Sequence, residues 1–204
     1  MKLSLPMRAH ATAGLSMVEL MITIAVLAIL LAVAVPSLRT AMRRGYVSNT
    51  TNALAGDLTY ARAEAAGRHK YVSICRSSDA ATCAGGTSKS YATGWLIYAY
   101  DGGSTGPNQA YSTTATPAHA LLRASKGDSR TTLAATDEKV LTFNQSGLPV
   151  ANSGRTAESF RVCVLNKAGD GGESTVEIPG RTVSLNASGG VSIAELAPAT
   201  ACTL

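Results

Sequence analysis

From Leu15 to Val35 the chain is apolar for 21 residues, with Glu19 its only charge. As a helix rising 1.5 Å per residue, such a run spans roughly the 30 Å hydrocarbon thickness of a bilayer. It can cross a membrane, and the fold has to be built around that. Lys2 and Arg8 are the only charges ahead of it. The positive-inside rule then keeps the short N-terminus cytoplasmic and exports the rest. A secretory signal places small residues after its apolar core, whereas here Gly14 stands before the core. Cleavage at Gly14 removes a leader and keeps the anchor.

Glu19 is the discriminating residue. A carboxylate inside an apolar segment costs about 2 to 3 kcal/mol on insertion scales unless something pairs with it. In a solitary chain it snorkels to the nearby interface. In an assembly, as the fifth residue after Gly14, it meets the free α-amino group of a neighbour cleaved at the same place, which fixes the axial register between helices.

The run Gly14, Leu15, Ser16, Met17, Val18, Glu19, Leu20, Met21 resembles the class III signal of type IV pilins and pseudopilins. The resemblance implies that prepilin peptidase cuts between Gly14 and Leu15 and methylates the Leu15 amine. It makes Glu19 the assembly residue. The family has a proline at mature position twenty-two, and Pro36 is the twenty-second residue counted from Leu15. Leu15 departs from the phenylalanine usual there, at a site that tolerates other apolar residues.

The pI near 9.2 invites a nucleic-acid reading, so the charges are placed by region. Residues 39–70 carry Arg39, Arg43, Arg44, Arg62, Arg68 and Lys70 against Asp57 and Glu64; residues 71–204 carry ten basic and ten acidic side chains. The basic character belongs to the stem and the C-terminal part is neutral. Arg39, Arg43 and Arg44 read as a solvated or intersubunit face.

Past Pro36 the pattern stays helical to about Lys70. Leu38 and Met42, then Leu54, Leu58, Ala61 and Ala65, recur at three- and four-residue spacing, with Arg62, Glu64 and Arg68 off the stripe. Pro36, Gly45 and Gly56 are points where this helix is expected to bend or loosen. After Lys70 the period becomes two. Strands are expected at Tyr71 to Cys75, Trp95 to Tyr100, Ala120 to Arg123, Val140 to Phe143, Phe160 to Leu165, Thr182 to Leu185 and Val191 to Ile193. Gly102 to Pro117 reads as an exposed loop.

The fold class is α+β: type IV pilin-like, a long N-terminal helix with a transmembrane half and an amphipathic half, packed on antiparallel sheet. The expected divisions are a leader over 1–14, a transmembrane and filament-core helix over 15–35, its amphipathic continuation over 36–70, and one periplasmic β-rich domain over 71–204.

The four cysteines, Cys75, Cys83, Cys163 and Cys202, allow three pairings in an oxidising compartment. The favoured one joins Cys75 to Cys83 across a polar loop and Cys163 to Cys202 near the C-terminus. No metal is expected, since neither spacing is Cys-x-x-Cys and His10, His69 and His119 lie far apart in sequence. Asp170 and Glu173 read as part of a solvated Gly-rich turn rather than a calcium site. No catalytic motif and no cofactor is expected.

Leu54, Leu58, Ala61, Arg62, Glu64, Ala65, Arg68, Val72 and Cys75, followed by Gly94, Trp95 and a strand ending at Asp101, resemble the GspH/FimT branch of the superfamily. That branch includes minor pilins and the H-type pseudopilin of type II secretion. FimT-type members bind DNA through a Gly-Arg-x-Arg motif near the C-terminus. The matching place here reads Gly189, Gly190, Val191, Ser192, and the Gly180–Arg181 pair one strand earlier is followed by Val183 where the second arginine would stand. A neutral domain without both arginines disfavours DNA. The implied function is a minor type IV pilin that primes or caps the pilus, with other minor pilins, the major pilin, prepilin peptidase and the inner membrane as partners. The alternatives are an H-type pseudopilin with pseudopilin partners and, less favoured, a DNA-binding minor pilin for transformation.

Overall fold

The computed structural model describes residues 16–165 and 171–204. Gly14, Leu15 and Asp170 lie outside the described residues. The chain forms two compact units, one ending at Arg39 and the other spanning Thr40–Leu204.

Helix α1 (Met17–Arg68) is 52 residues long and continues through Pro36, Gly45 and Gly56 without interruption. The large side chains from Met17 to Val35 are exposed, and Leu38 and Met42, expected on the buried stripe, are 62% and 50% exposed. The buried stripe starts later, at Val47, and runs through Thr50, Thr51, Leu54, Asp57, Leu58, Ala61 and Ala65. The three- and four-residue spacing keeps these on one face. The polar residues on it are satisfied, as where the Thr51 hydroxyl donates to the Val47 carbonyl at 2.7 Å.

Eight strands follow: β1 (Tyr71–Arg76), β2 (Gly94–Tyr100), β3 (Ala120–Lys126), β4 (Thr131–Ala135), β5 (Leu141–Phe143), β6 (Glu158–Val164), β7 (Arg181–Leu185) and β8 (Val191–Glu195). They form two antiparallel sheets, ordered β3-β2-β1-β5 and β4-β6-β7-β8. One core joins helix and both sheets: Leu54, Leu58, Ala61 and Ala65 pack with Val72, Ile74, Ile97 and Phe143 of the first and Leu133, Phe160, Val162, Val183 and Leu185 of the second. Residues 89–91, just ahead of β2, fasten onto the second sheet. Tyr91 N–H donates to the Leu133 carbonyl at 2.7 Å, and its ring meets Phe160 edge-on at 5.4 Å.

Two expectations need correction. β4 has no counterpart in the sequence reading, because Thr-Thr-Leu-Ala-Ala holds a single large apolar side chain; Thr131, Leu133 and Ala135 nevertheless face inward and are buried. The Gly102 to Pro117 segment is only partly the free loop expected. It covers the outer face of the first sheet, where Leu96, Tyr98 and Tyr100 form a second cluster with Cys75 and with the partly buried Cys83 and Tyr111. Tyr98 Oη donates to the Gln109 carbonyl, and Gln109 N–H donates to Tyr100 Oη. Tyrosines whose hydroxyls needed partners drew the loop down.

Two turns are built alike. In Asn144–Leu148, Asn144 Oδ1 accepts from the amides of Ser146 and Leu148 at 2.9 and 3.0 Å. In Asn186–Gly190, Asn186 Oδ1 accepts from Ser188 and Gly190 at 3.1 and 2.8 Å. Both turns read Asn-x-Ser-Gly, with the glycine at φ +73° and +78°. They converge on Arg62: its Nη1 donates to the Gly189 carbonyl at 2.8 Å, and a Cβ on Gly147 would lie 3.1 Å from its Cγ.

The structure joins Cys75 to Cys83, with Cα atoms 5.6 Å apart, and Cys163 to Cys202, with Cα atoms 6.0 Å apart.

Candidate assembly site

The first turn of α1 carries its own cap. Ser16 precedes the helix, and its Oγ accepts a hydrogen bond from the Glu19 N–H at 3.2 Å while its carbonyl accepts from Leu20 N–H at 3.1 Å. Ser-x-x-Glu is the capping-box spacing, with the acid at the positive end of the helix dipole. Ser16 was legible as a cap from that spacing, yet the sequence reading gave it no role. Thr23, the next polar side chain, donates to the Leu20 carbonyl at 2.8 Å, so its hydroxyl is spent within the helix. What remains is an apolar cylinder with one carboxylate at its start.

That cylinder has no cover of its own. The apolar stretch of α1 is exposed along its whole length. The core helix of a soluble domain of equal hydropathy would be enclosed. At about 25 cal/mol per Å² of apolar surface, this many exposed Leu, Ile, Val and Met side chains are unfavourable in water. Such a surface suits lipid or other apolar helices.

Further along, Arg44 Nε donates to the Glu177 carbonyl and Arg43 Nη2 to the Leu165 carbonyl, at 2.5 and 3.4 Å. These two arginines therefore bind their own domain, which corrects the expectation of a purely solvated or intersubunit face. Pocket-like relief is shallow there: a cleft of about 270 Å³ lies between Arg44, Val47, Val176, Pro179, Arg181 and Glu195.

Where a DNA-binding arginine pair would sit the chain has Gly190 and the exposed Ser192, and the glycine before them, Gly189, is packed. The Gly189 carbonyl is held by Arg62, and a Cβ at Gly189 would come within 2.9 Å of the Gly147 carbonyl. Arg181 opens β7 and pairs with Glu195 at 3.0 Å. Glu173 forms a backbone bridge with Ala201. His119, 6% exposed, stacks on Tyr100 at 4.7 Å and accepts the Ser112 N–H at Nδ1, and burial holds its pKa below the usual range. Among the described residues no group of three His, Cys, Asp or Glu side chains is placed to hold a metal.

One anchor escaped the sequence reading. Asp57, 4% exposed, accepts from Trp95 Nε1 at 2.8 Å, from Arg123 Nη1 and from Ser125 Oγ. It fastens the helix to β2 and β3. An acid on a helix far in sequence from its partners gives no local signal.

A long helix, apolar and uncovered at its start and packed on two antiparallel sheets in its second half, is the fold of type IV pilin-like subunits. Residues 50–193, more than half of the chain, match the family described as type II transport protein GspH, and the chain belongs to that family. Its members are structural subunits rather than enzymes. Among solved structures it is similar to the type IV minor pilin FimU of Pseudomonas aeruginosa strain PAO1. One crystal form gives 21% identity and a TM-score of 0.50, covering 77% of this chain and 97% of that one. A second gives 22% and 0.48, covering 75% and 99%. No curated protein matches the chain in sequence.

Proposed function

We propose that the protein is a minor type IV pilin that primes or caps pilus assembly. In this reading residues 1–14 are a leader removed by prepilin peptidase, Leu15 becomes the methylated N-terminus, and residues 15–35 hold the subunit in the bacterial inner membrane with the C-terminal domain in the periplasm. Residues 36–70 continue the helix and residues 71–204 form the exposed domain. The observation that carries it is the exposed apolar first half of α1, with Glu19 as the only charge in its first turn.

In the filament the apolar cylinder packs among the helices of the major pilin and other minor pilins. Glu19 takes the free amine of a neighbour as its counter-ion. Pairing removes the cost of burying its charge and makes one axial offset lower in energy than the others. Pro36 is read as the place where the helix can loosen during packing, since it lacks the N–H that the carbonyl one turn back would accept.

The second reading, an H-type pseudopilin of type II secretion, is favoured by the description of the matching family. DNA capture is disfavoured, because Gly190 and Ser192 stand in place of the motif's two arginines and Arg181 is paired.

Mass spectrometry of the membrane protein tests the processing step. A mature chain starting at methylated Leu15 is expected, and an intact leader in a host with active prepilin peptidase would overturn the reading. Deleting the gene separates the machines: loss of surface pili with normal secretion supports the pilus, the reverse supports secretion. Glu19→Ala is expected to be cleaved normally and to leave subunits in the membrane unassembled.

A further inference from the structure

Each sheet has two edges, and three of the four are closed or blunted. The β4 edge is covered by residues 89–91, through Tyr91 N–H to Leu133 and Ala135 N–H to Lys89. The β5 edge is covered by the chain after its turn, where Val150 N–H donates to the Thr142 carbonyl. β3 is outermost in its sheet but carries Arg123 and Lys126 and a register shift opposite Ile97 and Tyr98. Bulges and cations are the usual protection of an edge.

β8 has none of these. From Val191 to Ala197 there is no Lys, Arg or Pro, its pairing with β7 is regular, and four of its five residues are exposed. The ladder fixes which backbone groups are free. Asn186 N–H donates to the Gly190 carbonyl and Leu196 N–H to the Gly180 carbonyl. Alternation in an antiparallel pair then assigns Ser192 and Ala194 to the β7 side and points the N–H and C=O of Val191, Ile193 and Glu195 outward. Among the described residues these six outward groups have no hydrogen-bond partner. Their side chains share one face: Val191 packs on the core, Ile193 is 42% exposed, and the Glu195 side chain is 61% exposed although it meets Arg181 on one side.

We propose that the outer edge of β8 accepts an extended strand from a neighbouring pilin subunit, running antiparallel, with apolar residues opposite Val191 and Ile193 and a basic residue opposite Glu195. An extended peptide matches alternating free N–H and C=O groups at this spacing, and the Glu195 carboxylate, which Arg181 engages through Oε1 only, favours a basic residue on the donor. The donor's identity rests on the minor-pilin reading. The edge itself does not, so the test below can fail while processing at Leu15 stands.

The test uses the full chain, ¹⁵N-labelled in detergent micelles, and the peptide acetyl-Lys-Thr-Val-Thr-Val-amide, whose lysine falls opposite Glu195. Titration is expected to shift the amides of Val191, Ile193 and Glu195 and leave Ser192 and Ala194 nearly unmoved. The same peptide N-methylated at both valines is expected to give no shift. Ile193→Pro removes an outward N–H and leaves the β7 ladder bonds in place, so it should melt like the parent protein and lose the response. An Ile193→Lys variant, which keeps the backbone N–H but repels the peptide's lysine, should bind more weakly. No shift at millimolar peptide, or equal shifts at all five positions, overturns the proposal. Concentration-dependent shifts without peptide would name a second copy as the occupant and overturn it equally.

Discussion

Asp57 Oδ2 accepts the indole N–H of Trp95 across 2.8 Å in the interior, and that one bond ties the helix to β2, an inner strand of the first sheet. Asp57→Ala leaves the Trp95 N–H buried without a partner and removes the acceptor of Arg123 and Ser125. Loss of about 3 kcal/mol in chemical denaturation is expected. A change within experimental error would show that water replaces the carboxylate without penalty.

Gly189 and Gly56 should respond to alanine in opposite directions. At Gly189, φ is +78° and the new Cβ would press on the Gly147 carbonyl and Arg62, so Gly189→Ala is expected to destabilise by roughly 1 to 3 kcal/mol. At Gly56 a Cβ would meet nothing within 4 Å, so Gly56→Ala is expected to stabilise by roughly 0.5 to 1 kcal/mol. Thermal melts of the two variants side by side decide it, and equal shifts would contradict the turn's role.

His119 makes stability depend on pH. Burial lowers its folded pKa below the unfolded value, and protonation would set an Nδ1–H against the Ser112 N–H. Between the folded and unfolded pKa values the unfolded chain binds the extra proton. The contribution of His119 is therefore whole above about pH 6.5 and is lost as the pH falls below it. His119→Phe should flatten that part of the stability profile, and an unchanged slope would assign it to other groups.

Opening the two disulfides should not cost the same. Cys163 and Cys202 are 39 residues apart and Cys75 and Cys83 only 8. Chain-entropy arguments give about 4 kcal/mol for the long loop and about 2.5 kcal/mol for the short one. Denaturation of Cys202→Ser and Cys83→Ser under non-reducing conditions measures the difference, and the reverse order would point to strain or residual unfolded structure.

What the sequence disclosed followed from how far each signal reaches. The run from Leu15 to Val35 and the stripe Leu54, Leu58, Ala61, Ala65 are periodic over many residues, so α1 was readable nearly to its end. β2 and β6 were readable because large apolar side chains fill them. β4 was not, since Thr131 and Ala135 become buried only because β6 and the 89–91 segment lie beside them. Arg43 and Arg44 looked like free charge for a similar reason: their acceptors are backbone carbonyls more than a hundred residues away. At the candidate assembly site, Glu19 stands out because a charge in an apolar run is an anomaly. Ser16 carries a quieter signal, the Ser-x-x-Glu spacing of a capping box, which the hydrogen bond from the Glu19 amide to its hydroxyl bears out.

The paired Asn-x-Ser-Gly turns meeting at Arg62 bear on mechanics. In the proposed filament a subunit is loaded through its helix, and a load entering at one residue would peel whichever sheet was attached there. Arg62 is bonded to the Gly189 turn of the second sheet and lies beside the Gly147 turn of the first, so a load entering there reaches both. Shear is then resisted by both sheets together before either can unzip strand by strand.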